Sequence, residues 1–161
     1  MNKPLNIGVV GLGRLGSQYA RYFTSRITGA RLQAVSDVNP AAVKAVAAET
    51  GAPRSYLDYH ELVSDPTVDA VVVMTPTKLH GEVVIAAAAA GKAIFCEKPL
   101  SLEVSEAEQM KAAVAKHGVF FQLGFMRRFD KAYAAAKKRI DAGEIGTPVV
   151  FKSSSKDQLP P

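Results

Sequence analysis

Cysteine is nearly missing: Cys96 is the single one in 161 residues, so neither an intrachain disulfide nor a multi-cysteine zinc site can form, and a reducing compartment is implied. No metal is expected. Long apolar runs are also lacking. The longest near-apolar stretch, Val83 to Ala90, is far below the roughly 18 residues of a bilayer span, and its alanines suit a packed helix. The first residues run from one lysine straight into Leu5 to Val10, without the basic region, apolar run and small-residue cleavage site of a secretory signal. A cytoplasmic protein with no membrane contact is the expectation. Negative charge is in the minority, with 20 Lys and Arg against 15 Asp and Glu and a net charge of +5. Many of the cations fall between Arg127 and Lys156, but no recognition motif or aromatic stacking platform accompanies them. That stretch reads as a solvated face, and no nucleic-acid partner is expected.

What is present is an apolar content of 48%, enough for a sizeable core. Apolar runs alternate with amphipathic stretches from the start, the rhythm of a parallel sheet covered by helices on both faces. The fold class is therefore α/β, a Rossmann-type doubly wound parallel sheet. Strands are expected at Leu5–Val10, Leu32–Asp37, Ala70–Met74, Ala93–Cys96 and Val119–Leu123, with a weaker one near Arg54–Tyr56. Helices fall at about Leu15–Ile27, Ala41–Thr50, Lys78–Ala90 and Val104–His117. After Gly124 the rhythm changes to a basic helix near Asp130–Ala142 and a strand-like run Val149–Ser153, followed by Leu159-Pro160-Pro161. The expected organisation is a first domain over 1–123 and the incomplete start of a second α/β domain over 124–161, its lone strand awaiting partners.

Gly11-Leu12-Gly13-Arg14-Leu15-Gly16 follows a strand and opens a helix, the setting in which G-x-G-x-x-G binds a dinucleotide. Gly11 permits the tight turn, Gly13 lets backbone approach the pyrophosphate, and Gly16 lets helix and strand pack closely. The helix N-terminus receives the anion through its free N–H groups and dipole. Asp37 closes the second strand where the motif needs an acid, about 20 residues on, to accept hydrogen bonds from the ribose. A carboxylate there repels a 2′-phosphate, and Val38 offers no cation, so NAD is preferred over NADP. Arg14 reaches toward the adenine or a phosphate, or is simply an exposed helix residue.

Ala93-Ile94-Phe95-Cys96-Glu97-Lys98-Pro99 carries a buried strand to the carboxyl edge of the sheet, where ligands of open α/β folds bind. Alcohol oxidation needs a group that takes the hydroxyl proton, and a lysine in a dry cleft suits that task. Lys98 is the candidate, against the alternative that Glu97 merely pairs with a surface lysine. Thr75-Pro76-Thr77-Lys78-Leu79-His80 leaves the sheet at the same edge, with His80 either touching the nicotinamide ribose or packing at the helix start. His60 and His117 lack an acidic neighbour that suggests a catalytic pair and receive no role.

Taken in order, V-G-L-G-R-L-G, S-D-V-N-P, T-P-T-K-L-H, A-A-A-G-K-A-I-F-C-E-K-P-L and G-F-M-R-R-F-D resemble the Gfo/Idh/MocA oxidoreductase family over nearly the whole chain. The last two strings are especially like those of its inositol dehydrogenases. The resemblance implies that Lys98 is the active-site lysine, and that Glu97 lies near the nicotinamide, often with a cis peptide before the proline, here Pro99. It implies further that Thr75, Pro76 and His80 line the nicotinamide side of the cofactor and that Met126 and Arg127 face a polyol. It also implies that members run to roughly twice this length, with a second domain that completes the catalytic group and makes the subunit interface. An NAD-dependent dehydrogenase of a cyclic polyol or sugar such as myo-inositol follows, homo-oligomeric when full length and inactive as these 161 residues alone. Two alternatives stand beside it: another sugar or small carbonyl compound as substrate, or a non-catalytic NAD-binding module whose Val149–Ser153 edge recruits a partner.

Overall fold

The computed structural model of the chain describes residues 3–154. Six strands, β1 (Leu5–Val10), β2 (Ala30–Ser36), β3 (Arg54–Tyr56), β4 (Ala70–Val73), β5 (Ala93–Cys96) and β6 (Phe121–Leu123), form one sheet in the order β3-β2-β1-β4-β5-β6. Every neighbouring pair is parallel. Six α-helices lie between or after the strands: α1 (Arg14–Ser25), α2 (Pro40–Thr50), α3 (Tyr59–Ser64), α4 (His80–Ala89), α5 (Val104–His117) and α6 (Lys131–Asp141). The central strands β1 and β4 are largely apolar and buried because both sheet faces are covered there. Val71 and Val73 point into the core under α3, α4 and α5, with Val83, Ala87 and Met110. Val72, one residue out of phase, joins Val9, Ala20, Val35, Val43 and Val46 under α1 and α2.

The elements expected before Gly143 are present with shifted ends. The strand expected from Leu32 begins at Ala30, and the helix expected from Lys78 begins at His80 after a short 3₁₀ turn at Thr77–Leu79. Helix α3 was not expected. It starts on Asp58, whose carboxylate accepts from the His60 amide at 2.8 Å and also contacts His60 Nδ1 at 2.8 Å. His60 therefore does have an acidic neighbour, but an exposed helix cap rather than a buried pair.

The chain divides into two compact units, one ending at Gly124 and one beginning at Phe125. In the second, Asp130 caps α6 by accepting from the amides of Ala132 at 2.9 Å and Tyr133 at 3.2 Å, yet no residue of α6 is buried. The expected strand at Val149–Ser153 is corrected: those residues carry no regular structure, and Val149, Val150 and Phe151 are fully exposed. A strand is held by a ladder to a neighbour, and no described segment offers one. Leu159-Pro160-Pro161 lie outside the described residues.

A polar cluster ties β3 to the segment between α3 and β4. Asp65, buried, accepts from the Thr67 amide and hydroxyl at 2.8 and 2.7 Å and from the Tyr56 hydroxyl at 3.0 Å, with Arg54 at 3.4 Å. Burial would raise the Asp65 carboxyl, but those hydrogen bonds and the Arg54 charge outweigh it and hold it below its ordinary value. A depressed carboxylate contributes stability above its unfolded value, about 3.9, and loses that contribution as pH falls through the folded value. Asp65→Asn is therefore expected to lower Tm at pH 7 by roughly 6 °C, about 2 kcal/mol. The gap to the parent should narrow below pH 4; a pH-independent gap by circular dichroism would refute the assignment.

Candidate dinucleotide cleft and lysine loop

The glycine turn leaves β1 with Gly11 at φ +90°, a conformation that L side chains rarely adopt. A Cβ on Gly11 would stand 2.6 Å from the Thr75 nitrogen and 2.7 Å from the Met74 carbonyl oxygen, so the turn is wedged against the end of β4. Gly16 is tighter still, since its Cβ would lie 1.8 Å from the Gly11 oxygen. Gly13 differs in kind: a Cβ there meets nothing within 4 Å, and the space belongs to the cleft. Gly13 is also the N-cap of α1, with no side-chain cap bond and no acid in the first turn, which leaves the positive end of the helix open to an anion.

Asp37 lies just past β2 and holds the turn in place. Its Oδ2 accepts from the Leu12 amide at 2.6 Å and its Oδ1 from the Asn39 amide at 2.8 Å. The cleft that follows has a volume of about 500 Å³, and its walls include Gly11, Gly13, Ser36, Asp37, Val38, Thr75 and Pro76. Two buried side-chain oxygens here, Ser36 Oγ and Thr75 Oγ1, have no hydrogen-bond partner among the described residues. An unpaired buried hydroxyl costs about 1–3 kcal/mol. A polar ligand in the cleft relieves both, which fits a dinucleotide with hydroxyl and amide groups.

The register pairs Val73 with Cys96, so Thr75 and Lys98 leave neighbouring strands at the same level. Lys98 is exposed and its peptide to Pro99 is cis. The dry surroundings expected for Lys98 are thus not supplied by its own unit. Glu97 makes no ion pair among the described residues, contrary to the alternative reading. Its Oε2 accepts from the Lys98 amide at 2.9 Å and its Oε1 from the Tyr19 hydroxyl at 3.3 Å. Burial, then the negative charge of Glu97 and that bond, push the Tyr19 phenol up. Cys96 behind them is buried, and its thiol is pushed up to about 12 by burial and by Glu97, which leaves it protonated and inert.

Of the residues expected around the cofactor, the structure gathers Gly11, Gly13, Asp37, Val38, Thr75 and Pro76 on one cleft. Leu12 contributes only its amide, because its side chain is in the core. Gly16 acts by packing, and Arg14 and Leu15 are exposed on α1. His80 follows the packing alternative. It is buried, and both ring nitrogens contact backbone carbonyls, so it stands behind the Thr75 loop rather than on the cleft wall. Met126 and Arg127 belong to the second unit, where the Arg127 guanidinium lies over the Tyr133 ring at 5.1 Å. Ser36 and Tyr19 were missed. The signal for Ser36 was a small polar residue directly before Asp37 at the carboxyl end of the strand; Tyr19 gave none.

A parallel sheet with this strand order, a glycine turn at the switch between β1 and β4, and an acid after β2 define a dinucleotide-binding Rossmann domain. Residues 5–125 match the family model described as "Oxidoreductase family, NAD-binding Rossmann fold", and the chain belongs to that family, the Gfo/Idh/MocA oxidoreductases. It is 45% identical over 161 residues to the scyllo-inositol 2-dehydrogenase (NAD(+)) of Bacillus subtilis, covering 100% of this chain and 47% of that one. It is 41% identical over 157 residues to the myo-inositol 2-dehydrogenase of Thermotoga maritima, covering 98% and 47%. Among solved structures, the scyllo-inositol dehydrogenase of Lactobacillus casei with bound NAD(H) and scyllo-inositol superposes with a TM-score of 0.86 at 39% identity, covering 89% of this chain and 43% of that one. The chain spans about half the length of the curated relatives it matches, 47% in both cases.

Proposed function

We propose that this chain is the cofactor-binding half of an NAD-dependent dehydrogenase that moves a hydride between a cyclic polyol or sugar, such as myo-inositol, and the nicotinamide. The observation that carries the reading is the meeting, at one sheet edge, of an open glycine turn, two unpartnered buried hydroxyls and the Glu97-Lys98 loop. Bound NAD supplies the hydride acceptor. Gly13 and the start of α1 hold the pyrophosphate, Asp37 accepts from the adenosine ribose, and Ser36 and Thr75 offer their hydroxyls along the cleft. Lys98 takes the substrate hydroxyl proton as the carbonyl forms. Residues 1–123 form the NAD-binding domain and 124–161 begin the substrate and oligomerisation domain, where Met126 and Arg127 face the polyol. The working enzyme is a cytoplasmic homo-oligomer.

Calorimetry on the chain as it stands tests the cofactor assignment: NADH binds in the micromolar to millimolar range. Silence at millimolar NADH, with folding confirmed by circular dichroism, would overturn it. Asp37→Ser with Val38→Arg is expected to move the preference toward NADP by about tenfold or more, because it removes a repulsive carboxylate and places a cation at the 2′-phosphate. Affinity for both cofactors should also fall, since Asp37 restrains the Leu12 amide. An unchanged NAD/NADP ratio counts against the role given to Asp37.

A further inference from the structure

His80 joins two loops that are far apart in sequence and adjacent at the sheet edge. Its side chain is 2% exposed, with Nδ1 2.9 Å from the Pro99 carbonyl oxygen and Nε2 3.0 Å from the Thr75 carbonyl oxygen. Both partners only accept, so the ring nitrogen that carries the N–H donates to one carbonyl while the other nitrogen packs against the second. The ring's own base is fixed. A Cβ on the next residue, Gly81, would stand 2.4 Å from the Glu106 carboxylate of α5, and that carboxylate takes the Ser101 hydroxyl just beyond Pro99. On the other side, the Leu79 amide donates to the Pro76 carbonyl at 2.8 Å. One carbonyl held by the ring belongs to Thr75, whose unpartnered hydroxyl lines the cleft. The other belongs to the residue after Lys98.

We propose that His80 is a positioning residue that sets the spacing between the Thr75 wall of the cofactor cleft and Lys98, through one ring-nitrogen contact with each loop. The inference rests on the dehydrogenase reading above. It assigns His80 no contact with cofactor or substrate. The two arms of the bridge are separable, because an Asn amide nitrogen falls near Nδ1, toward Pro99, and a Gln amide nitrogen near Nε2, toward Thr75.

The test compares His80→Phe, which fills the ring volume without a donor, with His80→Asn and His80→Gln. Three readouts are used: NADH affinity by fluorescence, amide exchange at Leu79 and Lys98, and turnover in the complete polypeptide that contains this chain. His80→Phe should bind NADH about tenfold more weakly, the worth of one lost hydrogen bond, and exchange faster at both amides. Its kcat should fall about a hundredfold with a smaller change in KM, as expected when a reacting group is displaced by about 1 Å. His80→Gln should recover NADH affinity and protection at Leu79 but not kcat. His80→Asn should recover protection at Lys98 and most of kcat but not NADH affinity. Exchange and affinity of His80→Phe equal to the parent would overturn the proposal, as would Asn and Gln variants indistinguishable from Phe. If His80→Phe does not fold, the Asn and Gln pair decides alone. A parent chain that binds no NADH sinks the dehydrogenase reading instead, while the exchange pattern still judges the bridge.

Discussion

Gly13→Ala should leave the chain as stable as the parent to within about 1 kcal/mol and still weaken NADH binding by 10- to 100-fold or so, whereas Gly16→Ala should damage both. The contrast follows from where each new methyl group goes. At Gly13 the backbone has φ −63°, which alanine adopts freely, and the Cβ meets no protein atom within 4 Å. The methyl therefore occupies the space that the pyrophosphate approaches, and the cost appears only on binding. At Gly16 the methyl would sit 1.8 Å from the Gly11 oxygen, a hard overlap. The turn cannot retreat, because Gly11 is itself wedged against Thr75 and Met74. Helix α1 must then shift off the sheet, at about 1–3 kcal/mol or more in stability, and carry the anion site with it. Thermal melts and NADH titrations on the two variants check this. Equal binding by the Gly13→Ala variant and the parent would show that no phosphate approaches that residue.

The parts of the fold that were legible in the sequence are those whose cause is local. An apolar run, a glycine triplet at fixed spacing and an acid at the next strand end each act within a few residues, so β1, α1 and Asp37 read directly. Asn39-Pro40 and Gly51 likewise mark the ends of α2: Asn39 accepts from the Ala41 amide at 3.0 Å, and Gly51 adopts φ +66°. Helix α3 escaped because it has 6 residues and buries only Leu62 and Val63, too few to show a period. Val149–Ser153 misled for the opposite reason. Its residues suit a strand, but a strand is a relation between segments, and composition cannot supply the neighbour. The same limit hid Tyr19 and the bridging role of His80. Tyr19 meets Glu97 across a separation of 78 residues, and His80 meets Pro99 across 19, contacts that exist only because the parallel sheet brings the carboxyl ends of its strands together.

Replacing Lys98 with alanine in the complete polypeptide should lower kcat by about two orders of magnitude or more, the usual size of a lost acid–base contribution, while NADH affinity stays nearly constant. The surrounding geometry makes this a clean substitution. Lys98 is exposed, so its side chain carries no core packing, and the contact that anchors the loop is its amide to Glu97, which alanine keeps. Thr75 and the glycine turn are untouched, so the cofactor keeps its cleft. On the proposed mechanism, what the variant lacks is a group at the end of β5 to receive the hydroxyl proton as the substrate carbon gives up its hydride. The 161-residue chain is expected to show no useful turnover in either version. Lys98 and Arg127 are not expected to fix a polyol against the nicotinamide unaided, and positioning of that kind is worth roughly 7–11 kcal/mol of the barrier. Steady-state assays with myo-inositol, scyllo-inositol and glucose separate these effects. Near-parental turnover by the Lys98→Ala variant removes Lys98 from the chemistry, and strong activity in the 161-residue chain refutes the expectation that these residues alone do not turn over a polyol.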